Sequence, residues 1–233
     1  MKEAKKLWSW LAIPCIALAV LTGSILPVLL VREFYTVQIG PLGICEASGL
    51  TGQQAAEAYG DVMDYCMGRR TDFAAGVLPF SAEGASHFAD VRGLFLGGLW
   101  LRRIGLMFTL AFAALLYFWK RGRKDRSAYL ARAVPGSLCA GTGVFFAACL
   151  ALAAVISTDF SRYFVVFHHI FFDNDLWILD PDTDMLINIV PEAFFMDTAL
   201  RIAIVFATFV TIFFGACLFL WLKGRKAAEK GGN

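Results

Sequence analysis

The sequence predicts an all-α integral membrane protein. Four transmembrane helices, with both termini in the cytoplasm, carry two extracytoplasmic segments that form an outer cap and active site. Three observations predict this. The 233 residues are 58% hydrophobic and 17% charged, with a mean hydropathy of +0.63, below the roughly 25% charge of an ordinary soluble domain. Four apolar stretches have the roughly 20 residues needed to cross a bilayer. Lysine and arginine collect in connections that fall on one side of it.

Leu7 to Val31 is 25 residues without a charge. Its start, MKEAKK, is basic, but the apolar core exceeds the about 7–15 residues of a signal-peptide h-region. No small-x-small cleavage site follows, so it is expected to stay as an anchor, spanning about 7–31. Ile104 to Trp119 has 16 charge-free residues. It extends back through GLFLGGLWL if Arg102 and Arg103 snorkel to the headgroups, giving a second span at about 98–119. Ala133 to Thr158 and Ile202 to Leu222, of 26 and 21 residues, place the others at about 135–157 and 200–222.

Orientation follows from the flanks. The N-terminus, the loop KRGRKDRSAYLAR and the tail after Leu222 hold 13 of the 21 basic residues, so these face the cytoplasm. The intervening segments, about 33–97 and 159–198, face outward. Sixteen of the 19 carboxylates lie in the outer regions. All three histidines fall there too, so any chemistry belongs to the outer side. No nucleotide motif is present, and the basic residues read as topology signals rather than nucleic-acid contacts.

In the first outer segment, TGQQAAEAYGDVMDYCMGRR is a helix with Thr51 as cap and Gln54 completing a capping box. A second helix starts after Pro79, capped by Ser81 or Ser86, and runs into the second span. His87 and Asp90 are three apart and share a face, where the carboxylate can hold the imidazole in one tautomer. The plainer reading is a surface pair at a membrane-proximal turn. In the second outer segment, Phe164, Phe167, His168 and Phe171 share a helix face and His169 points elsewhere. His168 is a base kept near neutral by partial desolvation, or an interfacial histidine at a wet membrane edge. It joins His87 only if the two outer segments meet.

DPDTDM puts Asp180, Asp182 and Asp184 at positions 1, 3 and 5 of a calcium loop, but Met185 and Pro191 stand where glycine and glutamate belong. With no HExxH either, a turn is the expectation for DPDTD, and no metal site is assigned. Pro191 opens the last helix, with Glu192 in its first turn. Cys15, Cys139, Cys149 and Cys217 lie within spans as small packing residues. Cys45 and Cys66 lie outside, where a disulfide can form, although no Cys-x-x-Cys pair supports an exchange enzyme.

SHFADVRGLF and FHHIFFDNDLWILDPDTDMLINIVPEAFF resemble the two signatures of the bacterial lipoprotein intramolecular transacylases, four-helix proteins of the cell membrane. The helix layout of the whole chain is similar to theirs, and the motifs occupy about 60 residues. Arg92 stands where the family often has lysine, and His168 follows Phe167 as in the family's Phe-His. The resemblance implies an enzyme without a cofactor whose substrates are diacylglyceryl lipoproteins among membrane lipids. It would move the sn-2 acyl chain of the glyceryl group to the α-amine of the N-terminal cysteine, giving the lyso-form.

On that resemblance His87 and His168 are the catalytic acid and base. Asp90, Arg92, His169, Asp173, Asp175, Trp177 and Asp180 bind substrate or support the histidines, with Arg92, His169 or backbone N–H groups as oxyanion donors. A metal-dependent membrane hydrolase and a non-catalytic scaffold or lipid-binding protein are the alternatives.

Overall fold

The computed structural model describes residues 32–120 and 124–230. The predicted first span, with Cys15, lies outside them. Among the described residues there are eight helices and no strand. They are α1 (Arg32–Thr36), α2 (Ile44–Ser48), α3 (Gly52–Cys66), α4 (Ala82–Lys120), α5 (Lys124–Ser157), α6 (Phe160–Phe171), α7 (Leu186–Ile189) and α8 (Glu192–Lys230).

Three helices are long and apolar enough to cross a membrane, at Ala82–Leu115, Leu138–Ser157 and Glu192–Lys226. The spans expected at about 98–119, 135–157 and 200–222 fall on α4, α5 and α8. A helix of 39 residues, as α4 and α8 are, is about 58 Å long at 1.5 Å per residue. That is nearly twice the roughly 30 Å of hydrocarbon, so each carries more than a span.

The chain divides into two compact units. The first contains the described residues of 101–154 and 203–230. Its described helices turn apolar side chains outward: Leu110, Val144, Ile212 and Phe219 are all more than 60% exposed. Water would penalise such flanks; lipid tails do not. Where α5 and α8 meet, Gly136 lies against Trp221, so close that a Cβ would sit 3.0 Å from the indole. Small residues permit this approach in membranes. Phe206 packs its ring against Phe145 at 6.2 Å, and Cys139 and Cys217 are buried as expected of packing residues.

The second unit contains the described residues 32–100 and 155–202 and brings the two predicted outer segments together. Thr51 caps α3 with the complete box: its hydroxyl accepts from the Gln54 N–H, and the Gln54 side chain accepts from the Thr51 N–H at 3.0 Å. Tyr35 is the centre of the core. Its ring stacks on Tyr59 at 4.1 Å, Phe194 from α8 meets both edge-on, and its hydroxyl donates to the Ile189 carbonyl at 2.9 Å. Ile44, Leu186 and Ile189 are fully buried around it, each contributing about 1.5–3 kcal/mol by its removal from water. Gly76, at φ +59, lets the loop press to where a Cβ would be 3.1 Å from the Ala58 backbone. Only glycine fits both demands.

Candidate active site

α6 positions His168. Asp159 caps this helix by accepting from the Arg162 N–H at 3.1 Å, and the Phe172 N–H closes it on the His168 carbonyl at 2.8 Å. His168 is 8% exposed, and its Nδ1 lies 2.7 Å from the Phe164 carbonyl oxygen. A carbonyl only accepts, so Nδ1 carries the hydrogen. The neutral ring therefore has its lone pair on Nε2. The rings of Phe164, Trp177 and Phe172 surround it at 4.4, 4.7 and 5.6 Å.

The aromatic stripe differs from the expected one. Phe164 lines up with His168, but Phe167 and Phe171 are exposed. At about 100° per residue Phe164 is only about 40° from His168 around the helix, while Phe171 and Phe167 lie about 60° and about 100° away on the same side. His169 is exposed and meets Trp177 edge-on at 5.4 Å.

α4 positions His87. Its helix begins at Ala82, where the Ser81 hydroxyl accepts from the Gly84 N–H at 2.8 Å; Ser81, not Ser86, is the cap. His87 is 6% exposed, with its ring centroid 6.2 Å from that of His168. Phe172 touches both rings, at 5.0 Å from His87. No hydrogen bond joins the two imidazoles, and His87 Nδ1 is buried without a partner among the described residues. Asp90 and Arg92 separate His87 from the apolar part of α4, which starts at Gly93. Burial lowers the His87 pKa to about 4, helped by repulsion from a charged His168 and opposed by Asp90. At neutral pH the ring is uncharged. The arrangement sets an uncharged His87 ring 6.2 Å from the ring of His168, whose Nδ1–H is fixed, which suits general acid–base chemistry.

A carboxylate outside the expected site residues holds these segments in place. Asp184 is 5% exposed. Its Oδ1 accepts from the Ser81 N–H at 2.8 Å, and the Ser81 hydroxyl lies 2.9 Å from both carboxylate oxygens. The contact ties the turn after α6 to the start of α4 across 103 residues. Gly84 makes room for it: a Cβ there would lie 2.1 Å from Asp184 Oδ1.

The family model described as lipoprotein intramolecular transacylase Lit matches residues 10–195. The chain belongs to the lipoprotein intramolecular transacylase Lit family. The solved structure of the membrane-integral Lit of Bacillus cereus is similar in fold, with a TM-score of 0.82 at 22% identity, covering 97% of this chain and 100% of that one. Two structures of the same Bacillus cereus protein, with a histidine replaced by arginine or by alanine, match with TM-scores of 0.78 at 21% identity, covering 97% of this chain and 96% or 97% of theirs. Among curated proteins no match is found. With its Lit-family membership and its long apolar helices, the chain is a multi-pass membrane protein.

The other site residues expected of a Lit family member divide sharply. Trp177 stacks near His168, with its Nε1 buried and unpartnered among the described residues. Asp90 is exposed, acts on His87 through space, and accepts from Asn174 Nδ2 at 3.0 Å. Asp173, Asp175 and Asp180 are exposed, and no hydrogen bond joins them to either histidine. Asp180 shapes the DPDTD turn instead, its Oδ1 accepting from the Asp182 N–H at 3.0 Å and its carbonyl from the Asp184 N–H at 2.7 Å.

Part of the Arg92 guanidinium is engaged away from the acyl-transfer candidates. Its Nη1 donates to the Arg70 carbonyl at 2.7 Å and its guanidinium covers the Tyr65 ring at 4.6 Å. The disulfide allowed between Cys45 and Cys66 is not formed; both are free thiols. Cys66 ends α3 and is buried, whereas Cys45 is half-buried on α2 beside Tyr35. Burial pushes the Cys66 thiol up to about 12. Among the described residues no group of three or more His, Cys, Asp or Glu side chains is placed to hold a metal.

Proposed function

We propose that this chain transfers the sn-2 acyl group of a diacylglyceryl lipoprotein to the α-amine of its N-terminal cysteine. The product is the N-acyl lyso-form. The observation that carries this reading is the buried pair of imidazoles, His87 and His168, within one aromatic enclosure. Membership of the Lit family supports the choice of substrate.

His168 is the base. Its Nδ1–H is fixed on the Phe164 carbonyl, so Nε2 takes a proton from the amine, whose ordinary pKa of about 8 keeps activation modest. The amine nitrogen bonds to the ester carbonyl carbon, and the bond from that carbon to the glyceryl oxygen breaks. The proton removed from nitrogen ends on the glyceryl oxygen, delivered by the histidine pair. His87, neutral at working pH, serves as hydrogen-bond donor to the departing oxygen. Nucleophile and ester belong to one molecule, so orientation supplies much of the rate and no acyl-enzyme is required.

The charge distribution supports four spans with cytoplasmic termini in the bacterial cell membrane, which puts this site on the extracytoplasmic side, where mature lipoproteins reside. Asp90 tunes His87, while Asp173, Asp175 and His169 face outward and are suited to meeting the substrate headgroup or peptide.

The test is a reporter lipoprotein in a host that makes only the diacylglyceryl form. Tandem mass spectrometry of its N-terminal lipopeptide should find an N-acylated cysteine at unchanged mass, absent with His87→Ala or His168→Ala. A gain of one acyl chain would mean transfer between molecules. An unaltered lipopeptide with inserted, folded protein would reject the activity for this substrate.

A further inference from the structure

The acyl transfer proposed above creates an oxyanion, and that anion needs a donor. The side chains first suited to the task are engaged or turned away. Arg92 is held by Arg70 and Tyr65, Asn174 Nδ2 is held by Asp90, and His169 is exposed. A neutral donor without a partner stands beside His168. Trp177 Nε1 is buried and has no hydrogen-bond partner among the described residues. Buried indole N–H groups ordinarily find an acceptor, so this one is set for a group that arrives with the substrate.

The indole is also held ready. Its ring lies 4.7 Å from the His168 ring at a 30° tilt. On one side of it the Leu176 N–H donates to Asn174 Oδ1 at 3.1 Å; on the other, the Ile178 N–H donates to the Asp175 carbonyl at 3.1 Å. Through Asn174 and Asp90 the same turn is tied to the helix of His87. A donor fixed before the reaction needs no reorganisation when charge develops.

We propose that Trp177 is a catalytic residue, its indole N–H donating to the ester carbonyl oxygen as that oxygen becomes the oxyanion. The inference rests on the acyl-transfer reading. The indole keeps its hydrogen throughout; nitrogen–carbon bond formation, carbon–oxygen cleavage and the proton's passage from amine to glyceryl oxygen are unchanged by it. The π-face of Trp177 beside His168 additionally favours the imidazolium that forms when the base takes its proton.

The experiment uses the full chain in lipid nanodiscs with a synthetic diacylglyceryl lipopeptide bearing a free α-amine. Trp177→Phe removes the N–H and keeps an aromatic face. Replacement of Trp177 by 3-benzothienylalanine exchanges N–H for sulfur within the same ring outline, so packing on His168 survives. Both should lower kcat about 100-fold with KM little changed, as for loss of one oxyanion donor. A benzothienyl variant with wild-type kcat overturns the role of Trp177 while the active wild type upholds the acyl-transfer reading. A wild-type chain without activity on the lipopeptide overturns both.

Discussion

Asp184 and Gly84 form a contact whose energetic sign is predicted to reverse with background. The Asp184 carboxylate is buried and takes hydrogen bonds from both the N–H and the hydroxyl of Ser81. Two charge-assisted bonds at about 1.5 kcal/mol each make the loss in Asp184→Ala about 3 kcal/mol. For a chain of this size that lowers Tm by about 6–12 °C. Gly84→Ala attacks the same contact from the other side. Its Cβ would lie 2.1 Å from Oδ1 and 2.9 Å from Cγ of Asp184, so the carboxylate must leave Ser81, with a loss of about 2–3 kcal/mol. Once Asp184 is alanine the nearest atom left to the methyl group is Ser81 Oγ at 3.4 Å, an ordinary contact. Gly84 is helical, so alanine should then stabilise by about 0.5 kcal/mol. A double-mutant cycle read by thermal unfolding in detergent measures the coupling. Equal destabilisation by Gly84→Ala in both backgrounds would refute the contact as the reason for this glycine.

His87 should remain uncharged down to about pH 4, seen by NMR of labelled histidine. His168→Ala, which removes a repelling charge, should raise that pKa, and Asp90→Asn should lower it further; the opposite signs would contradict the stated causes. Because the folded pKa lies below the unfolded value of about 6.5, the unfolded chain binds more protons between the two. This contribution to stability is full above about pH 6.5 and falls away as the pH drops toward 4, measurable as Tm against pH. Cys66, buried and pushed up to about 12, should resist maleimide at pH 8 in the folded protein, and both Cys66 and Cys45 should label in denaturant; a labelling-resistant pair under non-reducing denaturation would reveal a disulfide. Arg92→Lys keeps the charge but loses the stack on Tyr65, so stability should fall by about 1 kcal/mol with kcat little changed. A large loss of kcat at unaltered Tm would return Arg92 to the reaction.

What could be read from the chain alone was local. Thr51 with Gln54, Ser81 after Pro79, and Pro191 before Glu192 announce helix starts through bonds that close within four residues, and the structure has helices there. Long charge-free runs announce spans because lipid leaves the backbone no alternative to a helix. The site is different in kind. The rings of His87 and His168 lie 6.2 Å apart in a unit tied together by Asp184 on Ser81 and Tyr35 on Ile189, contacts across 103 and 154 residues. Periodicity is silent about distance of that sort, and DPDTD read as a turn conceals that its last aspartate faces inward.

Arg92 shows the converse. Its place between the motif histidine and the span made it an attractive anion donor, yet its Nη1 is occupied because the chain doubles back after α3. The Gly68 φ of +73 starts that reversal and leaves the Arg70 carbonyl within reach of the guanidinium. Proximity in sequence to a catalytic residue is thus poor evidence of a role in chemistry when the side chain is long and a bare carbonyl lies nearby. The tautomer of His168, by contrast, was within reach of sequence reasoning. A histidine in the last turn of a helix has the carbonyl four residues back beneath its ring, and here that carbonyl belongs to Phe164. This helix-end bond leaves Nε2 as the basic nitrogen without a carboxylate partner. Aromatic rings at 4.4, 4.7 and 5.6 Å then exclude water around it.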